Sequence, residues 1–254
     1  MPFLALADQR IEYEEIGAAG AGPPLVFLHE GLGSVAMWRD FPAKLARTAH
    51  CPAIVYSRPG YGRSLPRLVP LGADYMHREA LETLPALRAA LGLGEPILIG
   101  HSDGASIALI HAGVGSWPVR ALVLEAPHVF VEEVSLASIA AAQTAFATGD
   151  LKPRLARYHD DPEAAFRGWN DAWLAPEFRR WNIEEYVAGI ACPVLLIQGE
   201  DDPYGTLAQL DAIERRLSAP CERLVLPHCG HSPHRDQRAA TLAAMAAFIA
   251  RVAS

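Results

Sequence analysis

A serine stands between two glycines where an apolar run gives way to a helix-like stretch. Residues 100–104 read Gly-His-Ser-Asp-Gly, after the apolar run 96–99 and before the helical pattern 105–112. A sharp strand-to-helix turn forces its central residue into strained backbone angles and needs small flanking residues. It would lift the Ser102 hydroxyl to a helix N-terminus, where an anionic intermediate is favoured. Ser102 is therefore a candidate nucleophile, while an ordinary turn is the alternative.

A serine hydroxyl becomes a useful nucleophile only when a base lies within hydrogen-bond reach and an acid orients that base. Candidates for both follow later apolar runs. The acidic turn 199–203 comes directly after one run, and the histidine-rich segment 227–234 comes after the next. The chain order serine, acid, histidine accompanies a serine on such a turn. The order predicts a Ser-His-Asp triad with its acid and base in these two segments.

The histidine-rich segment also allows a metal site, because its side chains include several possible zinc ligands. These are His228, Cys229, His231 and His234. Their spacing is irregular, and no helix motif with a carboxylate ligand accompanies them. We therefore predict no metal and no cofactor.

Strand-like and helix-like stretches alternate along most of the chain. Near-continuous apolar strands such as 194–197 indicate a sheet covered on both faces. Alternation at this spacing predicts right-handed β-α-β units and a mostly parallel sheet. The predicted strands are 10–16, 24–29, 52–57, 96–100, 120–125, 193–198 and 222–226, and the predicted helices are 35–47, 74–91, 104–113, 206–217 and 237–252.

One long segment, residues 128–190, breaks the alternation. It contains three of the five tryptophans and several helix-breaking prolines. It leaves and rejoins the sheet at strand ends, which is where an open sheet binds ligands. We predict a core domain formed by residues 1–127 and 191–254, with 128–190 inserted as a helical lid over the site.

The tryptophans of this segment are Trp169, Trp173 and Trp181. Large aromatic side chains line many ligand pockets, but they also form the core of small helical units. Trp169 and Trp173 are candidate substrate-binding residues, with packing inside the lid as the alternative. His128, which opens the segment, is a third candidate because it could face the pocket.

The composition is that of an ordinary globular protein, with 51% hydrophobic and 20% charged residues and a formal net charge of −7. Nucleic acids and anionic membranes attract clustered lysine and arginine, so we expect neither as a partner. No apolar run approaches the roughly 20 residues that span a bilayer, and the N-terminus lacks the basic start of a signal peptide. We expect a cytoplasmic monomer or homodimer that acts on a small-molecule substrate.

The chain resembles the α/β-hydrolase family from the strand before His29 to the final helix. The resemblance implies an α/β fold with a mostly parallel, doubly wound sheet of eight strands and a helical lid. In that family the acid usually stands three residues after the glycine that ends its strand, which implies Asp202 rather than Asp201. The base usually follows a glycine shortly after the last strand, which implies His231. The implied activity is hydrolysis of a small carboxylic ester through an acyl-enzyme.

Two backbone donors stabilise the oxyanion in such enzymes. One is the N–H of the residue after the nucleophile, here Asp103. The other comes from the family's His-Gly-x loop, which reads His29-Glu30-Gly31 here and implies the Gly31 amide. Glu30 stands where the family usually has glycine, and it is also a candidate substrate-binding residue.

Asp103 bears on the substrate, because a negative charge beside a developing oxyanion is unfavourable unless it points away or meets a cation. It could pair with a substrate ammonium, or it could cap the helix that follows. The Ser-Asp-Gly sequence is similar to that of biphenyl-hydrolase-like proteins, the valacyclovir hydrolases. In them an aspartate at this position recognises the amino group of amino-acid esters, which implies a preference for such esters.

Other activities remain alternatives, because a fold does not determine a function. Proteins of this family also hydrolyse C–C bonds in meta-cleavage products or act as cofactor-free haloperoxidases. A non-catalytic small-molecule-binding protein is a third alternative, but a complete triad favours an enzyme.

Overall fold

Eight strands form one sheet in the computed structural model, which describes residues 2–6, 8–17, 22–67 and 71–253. The strands are β1 (Phe3–Leu6), β2 (Gln9–Ile16), β3 (Leu25–Leu28), β4 (Ala53–Tyr56), β5 (Ile97–His101), β6 (Ala121–Glu125), β7 (Val194–Gly199) and β8 (Cys221–Leu226). Their order is β1-β2-β4-β3-β5-β6-β7-β8. Strand β2 pairs antiparallel with β1 and β4. The pairs β4–β3, β3–β5, β5–β6, β6–β7 and β7–β8 are parallel. The predicted mostly parallel, eight-stranded α/β sheet is confirmed.

Seven of these strands match the apolar runs to within one residue at each end. The eighth, β1, lies before them and pairs Phe3 with Glu12 of β2. Its side chains alternate between exposed and half-buried, as is usual for an edge strand. The four residues Phe3–Leu6 are all apolar, so the sequence shows none of the alternation that marks a half-exposed strand, and the run is short.

Helices cover both faces of the sheet. They are α1 (Phe41–Ala49), α2 (Tyr75–Arg78), α3 (Leu84–Leu91), α4 (Asp103–Val114), α5 (Glu133–Thr148), α6 (Leu151–Leu155), α7 (Pro162–Leu174), α8 (Glu184–Val187), α9 (Ala208–Arg216), α10 (Pro233–Asp236) and α11 (Arg238–Val252). Alternate residues of β3 face opposite sides, so Phe27 packs with Phe41 and Phe248 while Val26 packs with Ile107. Among the described residues, no helix is long and apolar enough to cross a bilayer.

Two predicted helices differ from the observed ones. The stretch 35–47 is divided into a 3₁₀ turn, Val35–Trp38, and α1, because Arg39 between them has a φ of 55°. The stretch 74–91 is helical throughout, but a π turn, Glu79–Thr83, joins α2 to α3. Pro85 follows that turn, and its ring lacks an N–H and would collide with a carbonyl of the preceding turn. A wider turn accommodates it.

The sheet order creates a crevice at the carboxyl ends of β3 and β5. From β3 the chain continues to β4 on one side, and it then crosses to β5 on the other side. The loops that follow β3 and β5 therefore leave in opposite directions, and open α/β sheets bind ligands at such a point. The turn with Ser102 and the loop with Glu30 both lie at this crevice.

Helices α5 to α8 lie between β6 and β7, in the segment predicted to form a lid. Phe146 of α5 and Phe166 of α7 stack at 3.9 Å, and the amide of Asn170 donates to the carbonyl of Ile139. The insertion is also joined to the loop after β7, because the Ser135 hydroxyl donates to the Tyr204 carbonyl. The segment is helical as expected, and its action as a lid stays a prediction.

Candidate active site

Ser102 occupies the strained turn that its neighbours in the sequence predict. Its φ and ψ are 54° and −117°, a conformation that a non-glycine residue rarely adopts. The flanking glycines allow close approach of the backbone: a Cβ on Gly104 would collide with the Leu28 carbonyl, and one on Gly100 would collide with Ala105. The turn places Ser102 at the start of a twelve-residue helix, whose first N–H groups have no partner within the helix.

His231 and Asp202 form a close pair. The His231 Nδ1 lies 2.9 and 2.8 Å from the two carboxylate oxygens, which also accept from Gln198 Nε2 and the Tyr204 amide. Burial raises the pKa of Asp202, but the hydrogen bond to His231, the charge of His231 and the Tyr204 amide together outweigh burial, so the pKa is lowered. An ionised Asp202 holds the proton on Nδ1 and leaves Nε2 as the basic nitrogen. The neighbouring Asp201 is exposed.

A cavity of about 110 Å³ lies at the crevice between β3 and β5. Eight of the nine predicted site residues line it, and the ninth, Asp202, lies behind His231. The eight are Glu30, Gly31, Ser102, Asp103, His128, Trp169, Trp173 and His231. The structure therefore brings the whole predicted set to one place.

The loop after β3 is held so that the Gly31 amide has a defined direction. The Glu30 carbonyl accepts three hydrogen bonds, from His29 Nδ1 (2.7 Å), Arg58 Nη2 (2.9 Å) and the Gly33 amide (3.0 Å). A trans peptide points its C=O and N–H in opposite directions, so fixing this carbonyl also fixes the Gly31 N–H. His29 accepts the Arg58 amide at Nε2, and its pKa is well below the usual value because of burial and the Arg58 charge.

Both candidate tryptophans are buried and also line the cavity. The Trp169 indole lies against Gly31 so closely that a Cβ on that glycine would collide with the ring. The Trp173 indole N–H donates to the Tyr75 hydroxyl at 2.9 Å. Trp181, by contrast, stacks on Phe178 inside the insertion. Trp169 and Trp173 therefore both line the cavity and pack against neighbouring side chains. Trp181 only packs inside the insertion.

Asp103 is fully buried and meets a cation of the protein itself. Its Oδ2 lies 3.4 Å from Arg58 Nη2 and accepts the Tyr75 hydroxyl at 2.5 Å, so its carboxylate does not cap α4. Burial raises the pKa of Asp103, and Arg58 opposes this shift. Arg58 was not among the predicted site residues. A charged residue two positions after the apolar strand β4 is the sequence signal that could have found it.

The remaining histidines near the site have separate partners. His234 Nδ1 lies 3.0 Å from Glu125, and His101 Nε2 lies 2.6 Å from the His231 carbonyl. No three His, Cys, Asp or Glu side chains converge as metal ligands in the part of the chain that the structure describes. The ring of His128 lies 5.9 Å from that of His231, and burial together with the His231 charge lowers the pKa of His128 to about 3.

The fold and this site define a hydrolase-like α/β protein, and a comparison with known families agrees. A model of the alpha/beta hydrolase family matches residues 25–244, and the chain belongs to that family. The dihydrolipoyllysine-residue acetyltransferase component of an acetoin cleaving system from Pseudomonas putida is 26% identical, over 94% of this chain and 66% of that protein. Proline iminopeptidase from Heyndrickxia coagulans is also 26% identical, over 49% and 42%. The chain spans two thirds or less of both relatives.

Solved structures share the fold over nearly the whole chain. The protein VinJ superposes with a TM-score of 0.80 at 20% identity, covering 99% of this chain and 98% of VinJ. A thermophilic esterase from Thermogutta terrifontis gives 0.74 at 22% identity, covering 97% and 95%. An enol-lactonase from Burkholderia xenovorans gives 0.76 at 20% identity, covering 98% and 99%. Identities this low show the fold alone.

Proposed function

We propose that this protein is a serine hydrolase that cleaves a small, neutral carboxylic ester. Ser102 is the nucleophile, His231 is the base and Asp202 orients that base. The observation that carries the proposal is the strained Ser102 on the wall of the same cavity as a His231 already paired with an ionised carboxylate. Membership in the alpha/beta hydrolase family supports it, as do the esterase and the enol-lactonase among the similar structures.

The reaction proceeds in two halves. The Ser102 Oγ attacks the ester carbonyl while its proton passes to His231 Nε2, and Asp202 stabilises the resulting imidazolium. The amides of Gly31 and Asp103 donate to the oxyanion. Collapse of the intermediate breaks the C–O bond, and the alcohol leaves with the proton from His231. Water then attacks the acyl-enzyme by the same route, releasing the acid and restoring Ser102.

The cavity favours a neutral acyl group. Leu32, Ile139 and the two tryptophans contribute apolar surface. Of the two acidic residues that line it, Asp103 is paired with Arg58, and Glu30 lies 3.4 Å from His101 Nδ1. A substrate ammonium would have to compete with those partners. A small uncharged acyl chain meets no such competition.

An amino-acid ester is the second candidate, supported by one specific observation. The Asp103 Oδ1 is buried and lacks a hydrogen-bond partner among the described residues. A buried carboxylate oxygen without a hydrogen-bond donor is unfavourable, so a ligand that supplies the donor would be favoured there. An ammonium group could be that donor if Asp103 turned toward the cavity.

We also propose that residues 128–190 act as a lid. Trp169 and Ile139 of the insertion line the cavity directly above the Gly31 loop. Opening and closing of such a segment would admit substrate and exclude bulk water. The core domain would then consist of residues 1–127 and 191–254.

The test uses two p-nitrophenyl esters that differ only in an amino group, the propionate and the alaninate. We expect the propionate to be cleaved faster, Ser102→Ala to abolish turnover, and the exposed control Ser116→Ala to retain it. Faster cleavage of the alaninate, lost selectively in Asp103→Asn, would support the second candidate. Ser102-dependent cleavage of a dienone ring-fission product in place of either ester would indicate a C–C hydrolase. No turnover of any substrate would indicate a binding protein.

A further inference from the structure

A fully buried histidine joins the two loops that flank the cavity. His101, the last residue of β5, lies between the loop after β3 and the loop after β8. Its Nε2 lies 2.6 Å from the His231 carbonyl, and its Nδ1 lies 3.4 Å from Glu30 Oε2. Nε2 is therefore hydrogen-bonded, while Nδ1 faces the Glu30 carboxylate at ion-pair distance and has no hydrogen-bond partner among the described residues. A neutral imidazole has one N–H and an imidazolium has two, so only the cation presents an N–H to both the His231 carbonyl and the Glu30 carboxylate.

The surroundings of His101 include several further titratable groups. Those that face it are Glu30 after β3, Glu125 of β6, His128 of the insertion, His231 after β8 and His234 of α10. Glu125 is itself paired with His234, while Glu30 faces His101. Burial lowers the pKa of His101, but Glu30 and then Glu125 outweigh burial and raise it to about 9. The pKa of Glu30 is lowered well below its usual range.

Glu30 is adjacent to Gly31 of the proposed oxyanion hole, and His231 is the proposed base. Glu30 precedes Gly31, so a displacement of Glu30 displaces the amide that would bind the oxyanion. The His231 carbonyl belongs to the same residue whose ring would accept the Ser102 proton. The His101 ring thus contacts both the oxyanion loop and the loop that carries the base. Glu30 is 71 positions before His101 in the sequence, and His231 is 130 positions after it.

We propose that His101 and Glu30 are a positioning pair, in which one protonated ring couples the oxyanion loop to the backbone of His231. The proposal rests on the proposed serine hydrolase function. Loss of the His101 proton removes one of its two donors, so one loop is released and the site loses its alignment. His101 and Glu30 act through Gly31 and His231 and do not themselves react with substrate.

The first test measures propionate ester turnover against pH in Glu30→Gln and His101→Gln, with the exposed Glu95→Gln as a matched control. We expect kcat to fall about tenfold in both variants, since each removes the ion pair that holds the oxyanion loop, with KM changed less than about twofold. In the wild-type protein kcat should fall at alkaline pH around 9. That limb should disappear in His101→Gln and move toward roughly 6.5 in Glu30→Gln. A general loss of packing would lower kcat without shifting the pH of this alkaline limb.

The double variant Glu30→Gln/His101→Gln shows whether the two residues act together. Because either substitution breaks the same pair, the double variant should be no slower than His101→Gln alone. Multiplied losses in the double variant would overturn the proposal. So would folded single variants that keep the wild-type kcat and the wild-type alkaline limb.

The second test observes the ring directly and needs no turnover. In protein labelled with ¹⁵N-histidine, the His101 signals, identified by their absence in His101→Gln, should show both nitrogens protonated at neutral pH. A neutral ring would overturn the pair even if the enzyme is active. A protonated ring in a protein without Ser102-dependent turnover would overturn the proposed function and with it the positioning role, while leaving the ion pair itself established.

Discussion

At the scale of single residues, each acidic side chain of the site has a basic partner of its own. Asp202 faces His231, Asp103 faces Arg58 and Glu30 faces His101. A buried charge without a partner costs several kcal/mol, so these pairs allow carboxylates to line a small cavity. The pairs also separate roles, because only the pair with Asp202 leaves a basic nitrogen on the cavity wall.

Asp202→Asn should lower kcat for ester hydrolysis by roughly 10³- to 10⁴-fold, because an asparagine amide donates to His231 and favours the wrong tautomer. The adjacent Asp201→Asn is the matched control. Since Asp201 is exposed, its variant should stay within about twofold of the wild type. Equal losses of kcat in the two variants would contradict the role of Asp202 as the residue that orients His231.

The residues of the site differ in how far the sequence alone predicted them. Ser102 could be predicted because a short local pattern determines the turn. The segments with the acid and the base could be predicted because both follow strands that end at one edge of the sheet, and the family resemblance then implied Asp202 and His231 within them. The pairing of Asp103 with Arg58 joins residues 45 positions apart. No local pattern encodes that distance, since it depends on the sheet order, which places β4 and β5 on either side of β3.

At the scale of elements, the site depends on how closely α4 approaches β3. Gly104 lies against the carbonyl of Leu28, with no room between them for a side chain. The same approach brings the Ser102 turn next to the Gly31 loop. The apolar runs predicted both elements, whereas the closeness of their contact follows from the glycine alone.

Gly104→Ala should destabilise the protein by about 1–3 kcal/mol or more, because the added methyl group collides with backbone that cannot turn aside. It should also lower the ester-hydrolysis activity of whatever fraction folds. The control Gly94→Ala adds a methyl group into open space and should unfold at the wild-type denaturant concentration. Urea unfolding of both variants tests this, and a Gly104→Ala protein of wild-type stability would contradict it.

At the scale of the whole molecule, buried histidines make stability depend on pH. Burial is the main cause that lowers the pKa of His111 to about 4 and of His128 to about 3. Between these values and about 6.5 the unfolded chain binds more protons, so the free energy of unfolding rises with pH. The pKa of His101 is raised, so its contribution is present below about 6.5 and is lost as pH rises through 9. Burial raises the pKa of Glu79 to about 7, which opposes the histidines in the acid range.

Stability should therefore fall on acidification below about pH 6.5, by about 1.4 kcal/mol per pH unit for each histidine that must stay neutral. Urea unfolding from pH 6.5 down to 4.5 measures the slope. His128→Gln should make the slope shallower by about 1.4 kcal/mol per pH unit, the contribution of one proton. The control His50→Asn changes an exposed residue and should leave it unchanged. An identical slope in His128→Gln would show that His128 is not held neutral.

The central claim is that Ser102 carries the acyl group, and mass spectrometry of the quenched reaction tests it most directly. Protein mixed with p-nitrophenyl acetate and stopped in acid before one turnover should be heavier by one acetyl group, located on the peptide that contains Ser102. Asp202→Asn should accumulate the adduct more slowly, and Ser102→Ala should form none. Turnover of the ester with no adduct on Ser102, or an adduct on another residue that persists in Ser102→Ala, would contradict the account.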